Sequence, residues 1–519
     1  MSTSLPRVPE AFAIQTHGIR APEPRAERWI IVEGGVVASL ERSAPRGVRI
    51  LEAPVGFACP GFFDSHLHLL LAGSSLAQLE LSGVRSREEF EGHISSAHAA
   101  LPADRWLLAR GWNEANFAGD GAPEASWFSS AGTRPCVAWR SDQHACVVNQ
   151  PVIDLLGGAL DDATEGECPR RDGRPIGILR ERAAWQVLIP RLPPPTDDEL
   201  ASGLAAAQRV LLANGITSVG SMEYADWVDR VLVPRCDLLS PRVHVTMLDR
   251  EWPVDVADVA RRAHEATPRL RFVGCKSFAD GTLGSRTAWM QAPYADGDGL
   301  EVGTPLEFTA DGRLAEWMAQ VAGAGLSPSV HAIGDAALTA VLDAADAARI
   351  PDRTLRIEHA QTVAPEDIPR LAQHIVSMQP LHKADDARIA HARLGPERLN
   401  RFFPFRRIAD AGALLAFGSD WPIAPPDPIE AMRTAITGRT VGGDRFQPDQ
   451  SLTPMEALRA TTIDAARSLR ADADLGHLSP GSRADITILD RDPLTCDWWN
   501  DPPRVLGTMV DGRIARPGH

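Results

Sequence analysis

Eight short apolar segments, most of them separated by helix-like stretches, constrain the fold of this 519-residue chain more than any other feature. They are GFFDSHLH (61–68), ITSV (216–219), VHVTML (243–248), FVGCKSFAD (272–280), SPSVHA (327–332), TLRIEHA (354–360), IVSMQP (375–380) and ALLAFGSD (413–420). Short runs rich in Val, Ile and Phe and bounded by turn residues read as buried strands. Between them lie amphipathic stretches such as GRLAEWMAQVAGAG and PEDIPRLAQH. Thr196-Asp197-Asp198-Glu199 is a capping box that opens a helix through Leu212, and Asn214-Gly215 stops it. Strand-then-helix repeated eight times predicts an α/β protein built on a closed parallel (β/α)8 TIM-like barrel. On that architecture the chemistry sits at the C-terminal ends of the strands.

Length alone suggests roughly three domains, but a barrel with insertions absorbs much of it. Residues 11 to about 58 carry short strand signals (AFAIQTHG, RWIIVEGGVVASL, VRILEA), and so does the other end (RADITILD, RVLGTMVDGRIAR). The two ends are therefore expected to pair into one composite β-sandwich domain from residues 1–58 and 476–519, flanking a barrel over 59–475. Well over a hundred residues separate His68 from the Thr196 helix, far beyond an ordinary βα loop. This insertion, about 70–195, contains strand-like RWLLARGWNEANF and PCVAWRSDQHACVVNQ. Leaving the catalytic face after the first strand, it is expected to form a wall or lid of the pocket.

A net charge of −15 argues against nucleic acid or an anionic membrane as the main partner. Seven scattered cysteines without a C-x-x-C pair read as reduced thiols of a cytoplasmic protein, neither a disulfide frame nor a thiolate zinc site. MSTSLPRVPEAFAI lacks the basic start and apolar core of a signal peptide, and no apolar run approaches the ~20 residues that span a bilayer. The partners expected are a small-molecule substrate and, at most, a second copy of the chain in a homodimer.

The polar residues at the strand ends are, in order, His66 and His68, Glu223, Lys276, His331, His359 and Asp420. Period-two geometry puts His66 and His68 on one face of their strand, where two imidazoles begin a first-row metal site. Each residue also has a bland reading. A lone strand-end histidine such as His331 is more often a hydrogen-bonded core residue, and Asp420 in FGSDWP caps a turn as readily as it binds a metal. Lys276 inside FVGCKSF is odder, because lysine is rarely buried unless paired or functional. Four histidines, a lysine and an aspartate at one end of one barrel are what a dinuclear metal site requires. His144 and His382 lie on segments that should reach the pocket. Trp112, Phe117, Trp139 and Trp421 line it or pack the core.

The motifs GFFDSHLH, ARGWNEANF, RSDQHACVVNQ, GITSV, KSFADGTLGSRTA, HAIGDAA, RIEHAQ and FGSDWPI occur in an order that resembles the amidohydrolase superfamily. Within it they are similar to the YtcJ-like (amidohydrolase 3) branch, which includes N-substituted formamide deformylase. The resemblance runs from about Pro60 to Ala466. It implies that His66, His68 and Asp420 hold one metal and His331 and His359 a second, bridged by Lys276 after N-carboxylation by carbon dioxide. In GITSVGSME an aspartate would be expected near Glu223, so Glu223 stays outside the ligand set.

Oxygen and nitrogen ligands without thiolates suit zinc, two ions per chain, with manganese or iron(II) as alternatives. The activity implied is hydrolysis of a non-peptide C–N bond, in an amide or N-formyl group, by metal-activated hydroxide. Asp420 would accept and return the proton, His144 and His382 would steady the oxyanion, and Trp112, Arg140, His144 and His382 would meet the substrate. A lactone or ester hydrolase would use the same site. A ring deaminase is disfavoured, since HAIGD lacks the glutamate expected a turn beyond its histidine. A non-catalytic scaffold on the same fold has no reason to keep six ligands.

Overall fold

One eight-stranded parallel sheet carries His66, Glu223, Lys276, His331 and His359, and His68 and Asp420 follow just beyond the ends of its strands. In the computed structural model, which describes residues 11–117, 119, 121–249 and 253–515, its strands are β1 (Phe62–Leu67), β2 (Ile216–Glu223), β3 (Arg242–Leu248), β4 (Leu270–Phe278), β5 (Ser327–Ala332), β6 (Arg356–His359), β7 (Ile375–Met378) and β8 (Leu414–Phe417). They pair in chain order from β1 to β8, all parallel. Each expected segment is thus a strand of a TIM-like α/β barrel. Both faces are covered, which is why the strands read as apolar runs rather than as alternating ones.

The barrel is drawn together just past β8. The Asp420 amide donates to the His66 carbonyl at 2.7 Å and the His68 amide to the Trp421 carbonyl at 2.8 Å. The buried Asp64 carboxylate accepts from the Ser419 amide at 2.9 Å. Burial pushes Asp64 up to about 6, against the opposing pull of its bonds to Ser419 and His66. This approach leaves no room for a side chain at Gly418. A Cβ there would lie 2.6 Å from the His66 nitrogen and 2.8 Å from its carbonyl oxygen. Gly418→Ala is therefore expected to cost about 1–3 kcal/mol, the usual range for overpacking, and to shift Asp420 away from His66. Thermal unfolding and metal content of the variant check this, and an unchanged melting temperature would show that the two strands part freely.

The helix opened by the capping box runs over Asp197–Ala213, with Glu199 N donating to Thr196 Oγ1 at 3.2 Å and Thr196 N to Glu199 Oε2 at 2.8 Å. Helix Pro380–Leu394 follows β7 and buries Lys383, whose ammonium lies 4.9 Å above the Phe405 ring. Burial pulls the Lys383 pKa down to about 7, only partly offset by Asp449. Between pH 7 and the ordinary lysine value of about 10.4 the unfolded chain holds a proton that the folded chain releases, so this group makes stability rise with pH. Lys383→Met should accordingly raise the melting temperature at and below pH 7, with a gain that fades toward pH 10. A gain independent of pH would assign the effect to packing alone.

Both chain ends meet in one sheet. Ile486–Leu489 pairs antiparallel with Phe57–Pro60, inside a six-stranded sheet that also contains Val505–Val510 and Arg513–Ala515. A four-stranded sheet from the N-terminal end, with Ala11–Gln15 and Trp29–Glu33 at its centre, shares a buried cluster with it: Phe12, Ile30 and Val32 pack with Ile486, Ile488 and Met509. Residues 1–10 and 516–519 of the expected β-domain lie outside the described residues.

The chain divides into two compact units, one of residues 1–72 with 204–519 and one of residues 73–203. The second unit is the insertion. It has its own five-stranded sheet, in which Leu107–Trp112, Cys136–Arg140 and Ala145–Val148 are neighbours, and its own buried clusters around Phe90, Trp127 and Val152. Among the described residues no helix is long and apolar enough to cross a membrane.

Candidate metal centre

His66, on β1, is fully buried. Its Nδ1 lies 2.7 Å from Glu358 Oε2. An ionised carboxylate only accepts, so Nδ1 carries the proton and Nε2 is left with its lone pair. That Nε2 is buried, makes no hydrogen bond and lies 3.4 Å from Asp420 Oδ1. His68 repeats the pattern: its Nδ1 lies 3.0 Å from the Met222 carbonyl and its Nε2 3.3 Å from the same Asp420 oxygen. Thus the H-x-H pair does converge on one point, with the two rings 5.8 Å apart.

His359 reaches that point by an irregular route. It follows Glu358 directly, and in a regular strand the two side chains would face opposite ways. His359 instead has φ +75, and Asp420 on the far side has φ +58, left-handed backbone that ordinary residues adopt at a cost of about 1–3 kcal/mol. Gln379 Oε1 takes the His359 Nδ1 proton at 2.8 Å, while the Gln379 amide nitrogen donates to the Ser377 carbonyl and fixes that orientation. One ligand atom each from His66, His359 and Asp420 then fall within 4.8 Å of one another. The family resemblance placed His359 with His331 at the other metal; here the left-handed turn also brings it beside His66.

His331 is held the other way round. Its Nε2 lies 2.9 Å from the Gly281 carbonyl and 3.5 Å from Asp280 Oδ1, so Nε2 carries the proton and the lone pair of the neutral ring is on Nδ1. Its ring stacks on Phe278 at 5.0 Å and meets His359 at 4.5 Å. Lys276, fully buried, lies with Nζ 4.4 Å over the Phe278 ring. Its charge acts on His66, Glu358 and His359 alike. His382, in the first turn of its helix, is parallel to His359 at 6.0 Å, and its Nε2 is 4.0 Å from Asp420 Oδ2.

The electrostatics favour a cation. Burial would raise the Asp420 carboxyl, but the imidazoles of His66, His68 and His359 outweigh it and hold it well below the carboxylate range. Burial lowers His68, His359 and His382, and so favours neutral rings, the form that ligates metal. On His66 burial also lowers the pKa, yet Glu358 and Asp420 outweigh it and raise the net value. The carboxylates that favour a proton there favour a divalent ion for the same reason. Buried nitrogen and oxygen donors, with an unbonded Nε2 facing a carboxylate, fit a first-row divalent cation.

Several supporting residues carry no obvious sequence signal. Glu358 and Arg356 sit beneath His66. Asp280 accepts from the amides of Trp289, Ile333 and Gly334 at 2.7–3.0 Å and so ties the ends of β4 and β5 together. Glu223 accepts from the Leu70 amide at 3.0 Å and from Ser221 Oγ, work that anchors the segment after His68 rather than a metal. Burial pushes its pKa up to about 7.

A sequence profile of the amidohydrolase family matches residues 56–516. The chain belongs to the amidohydrolase family. Its likeness to YtcJ of Bacillus subtilis (strain 168), 29% identical over 88% of each chain, and to N-substituted formamide deformylase of Arthrobacter pascens, 24% identical over 94% of this chain and 95% of the other, places it in the YtcJ-like branch. It is also 31% identical to the protein LONG AFTER FAR-RED 3 of Arabidopsis thaliana, over 94% of this chain and 87% of that one. Among solved structures, an uncharacterized metal-dependent hydrolase of Pyrococcus horikoshii OT3 superposes with a TM-score of 0.76 at 26% identity, covering 94% of this chain and 99% of the other. Family membership makes this amidohydrolase a hydrolase.

The remaining expected site residues lie in the insertion unit. His144 Nδ1 is 3.1 Å from Glu181 Oε2, and its ring meets Trp185 edge-on at 4.5 Å. Gln143 before it and Glu181 opposite both have left-handed backbone, φ +60 and +44. Arg140 is engaged with Glu114 at 2.8 Å and with Asp142. Trp112 is buried in the unit's own core, its indole N–H donating to the Ala138 carbonyl at 2.8 Å. Phe117 belongs to the same cluster and Trp139 to its neighbour.

Proposed function

We propose that this amidohydrolase cleaves a non-peptide C–N bond, in an amide or N-formyl group, of a small-molecule substrate, using zinc. The observation that carries the reading is the convergence of His66, His359 and Asp420 within 4.8 Å, each histidine having its other nitrogen committed to a protein acceptor. His66, His68 and Asp420 would hold one ion, and His331 and His359 a second. Lys276 would join them as a carbamate, its amine adding to carbon dioxide with loss of a proton. A divalent ion bound there supplies Lewis acidity toward the carbonyl and lowers the pKa of water toward neutrality. We also read the two β-sheets of the chain ends as one composite β-sandwich.

The protein groups divide the remaining work. Asp420 turns Oδ1 to the histidines and Oδ2 toward His382. Oδ2 is thus the oxygen suited to take a proton from attacking water and to return it to the departing nitrogen. His382 Nε2, buried and without a hydrogen bond, can donate to the substrate carbonyl oxygen as charge develops when the neutral ring carries its proton there. From the insertion we assign His144, held by Glu181, and Arg140 to recognition of the substrate.

The likeness to a formamide deformylase favours an N-formyl or amide bond over a lactone or ester on the same site. A panel of N-formyl amines, N-acyl amines, ring amides and lactones, with amine and carboxylate release followed directly, tests this. Turnover of formamides or amides is the expected result. Turnover of lactones alone would overturn the C–N assignment while leaving the hydrolase intact.

A further inference from the structure

The strand segment that supplies His359 also carries Arg356 and Glu358, and both are fully buried in the barrel below the centre. Two adjacent buried charges need a reason, because taking ions out of water costs several kcal/mol per ion unless they are well paired. Their bonding is complete and directional. Arg356 Nε donates to Glu358 Oε1 at 2.9 Å, Arg356 NH1 to the Ser468 carbonyl and hydroxyl at 3.0 and 3.1 Å, and Arg356 NH2 to the Ser65 carbonyl at 2.9 Å. Ser329 Oγ also donates to Glu358 Oε1. Two donors are thus committed to Oε1, and Oε2 is turned to His66 Nδ1 at 2.7 Å, with Arg356 NH2 donating to it only at 3.5 Å. A cross-brace results: Arg356 grips the backbone of Ser65, the residue before His66, while Glu358 grips the ring of His66.

We propose that the Arg356–Glu358 pair is the positioning device of the metal centre, fixing His66 as the Nδ1–H tautomer so that Nε2 faces the cation. This rests on the metal-centre reading above. Neither residue touches substrate or cation, so both act through His66. The geometry makes the role specific to a carboxylate. In Glu358→Gln the amide oxygen stays with Arg356 Nε, which can only donate and would repel an amide NH2 in that place, and the Ser329 hydroxyl keeps donating to the same oxygen. The amide NH2 then faces His66 Nδ1, which can bond to it only as an acceptor. The ring proton is driven to Nε2, where it occludes the cation. The isosteric change therefore inverts the tautomer without removing an atom from the site.

Zinc titration of chelator-stripped wild type and Glu358→Gln, against a competing indicator, tests the proposal. Loss of such an outer-shell partner typically costs about 10- to 100-fold in metal affinity. We expect a weakening of that size for Glu358→Gln with the circular dichroism spectrum retained. Affinity within twofold of wild type would overturn the assignment while leaving the metal centre standing. A wild type that takes up no zinc would overturn both. Should the variant fail to fold, 15N spectra of histidine-labelled, zinc-loaded wild type decide the matter, with the His66 signals assigned by their absence in His66→Ala. An Nδ1–H with a coordinated Nε2 supports the brace, and an Nε2–H rejects it.

Discussion

His66→Ala is expected to abolish turnover and to strip the protein of at least one ion. The change removes a buried Nε2 that makes no hydrogen bond and lies 3.4 Å from Asp420 Oδ1. It leaves His68 and Asp420 at the ion that His66 would hold, too few for a cation that takes four ligands. The fold should survive, since Glu358 keeps its bonds to Arg356 and Ser329. Activity should fall to background in the presence of added zinc, and elemental analysis should show the missing metal. Full metal occupancy in this variant would remove His66 from the ligand set and return it to the buried core.

Asp420→Asn separates ligation from proton transfer. Asparagine keeps the shape and one coordinating oxygen but cannot accept a proton at Oδ2. Loss of a general base alone costs about a hundred- to ten-thousand-fold in kcat. A fall of that order is expected, with metal content largely kept and KM little changed. The acidic limb of the pH–rate profile should flatten as well, because the carboxylate that titrates there has gone. Near-normal turnover with an unaltered profile would shift the proton to His382, whose Nε2 is 4.0 Å from Asp420 Oδ2.

The barrel was legible because a strand covered on both faces must be apolar, and apolar runs between helices are visible in a sequence. The strand-end candidates were legible for a related reason: each polar residue stands out against the apolar run it ends, and the bland readings open to each alone weaken when so many fall at one end of one barrel. What stayed hidden depends on backbone geometry that no residue type announces. Glu358 and His359 are neighbours, and alternation assigns them to opposite faces; only the left-handed φ of His359 lets both serve one centre. Nothing in the letters RIEH announces that Arg356 and Glu358 are a buried pair with partners at Ser65, Ser329 and Ser468. The necessity of Gly418 comes from the approach of His66, which no letter of the sequence shows. Trp112 shows the converse, since an aromatic in a pocket and an aromatic in a core carry the same letter.

Metal dependence of hydrolysis is the central claim. The most direct test is to strip the purified protein with a chelator, follow hydrolysis of the best substrate of the panel, and restore zinc in steps while counting bound ions. Activity should vanish with the metal and return in proportion to occupancy, reaching its plateau at about two ions per chain, the number a bridged site holds. Hydrolysis that persists at full rate in the metal-free protein would contradict the account.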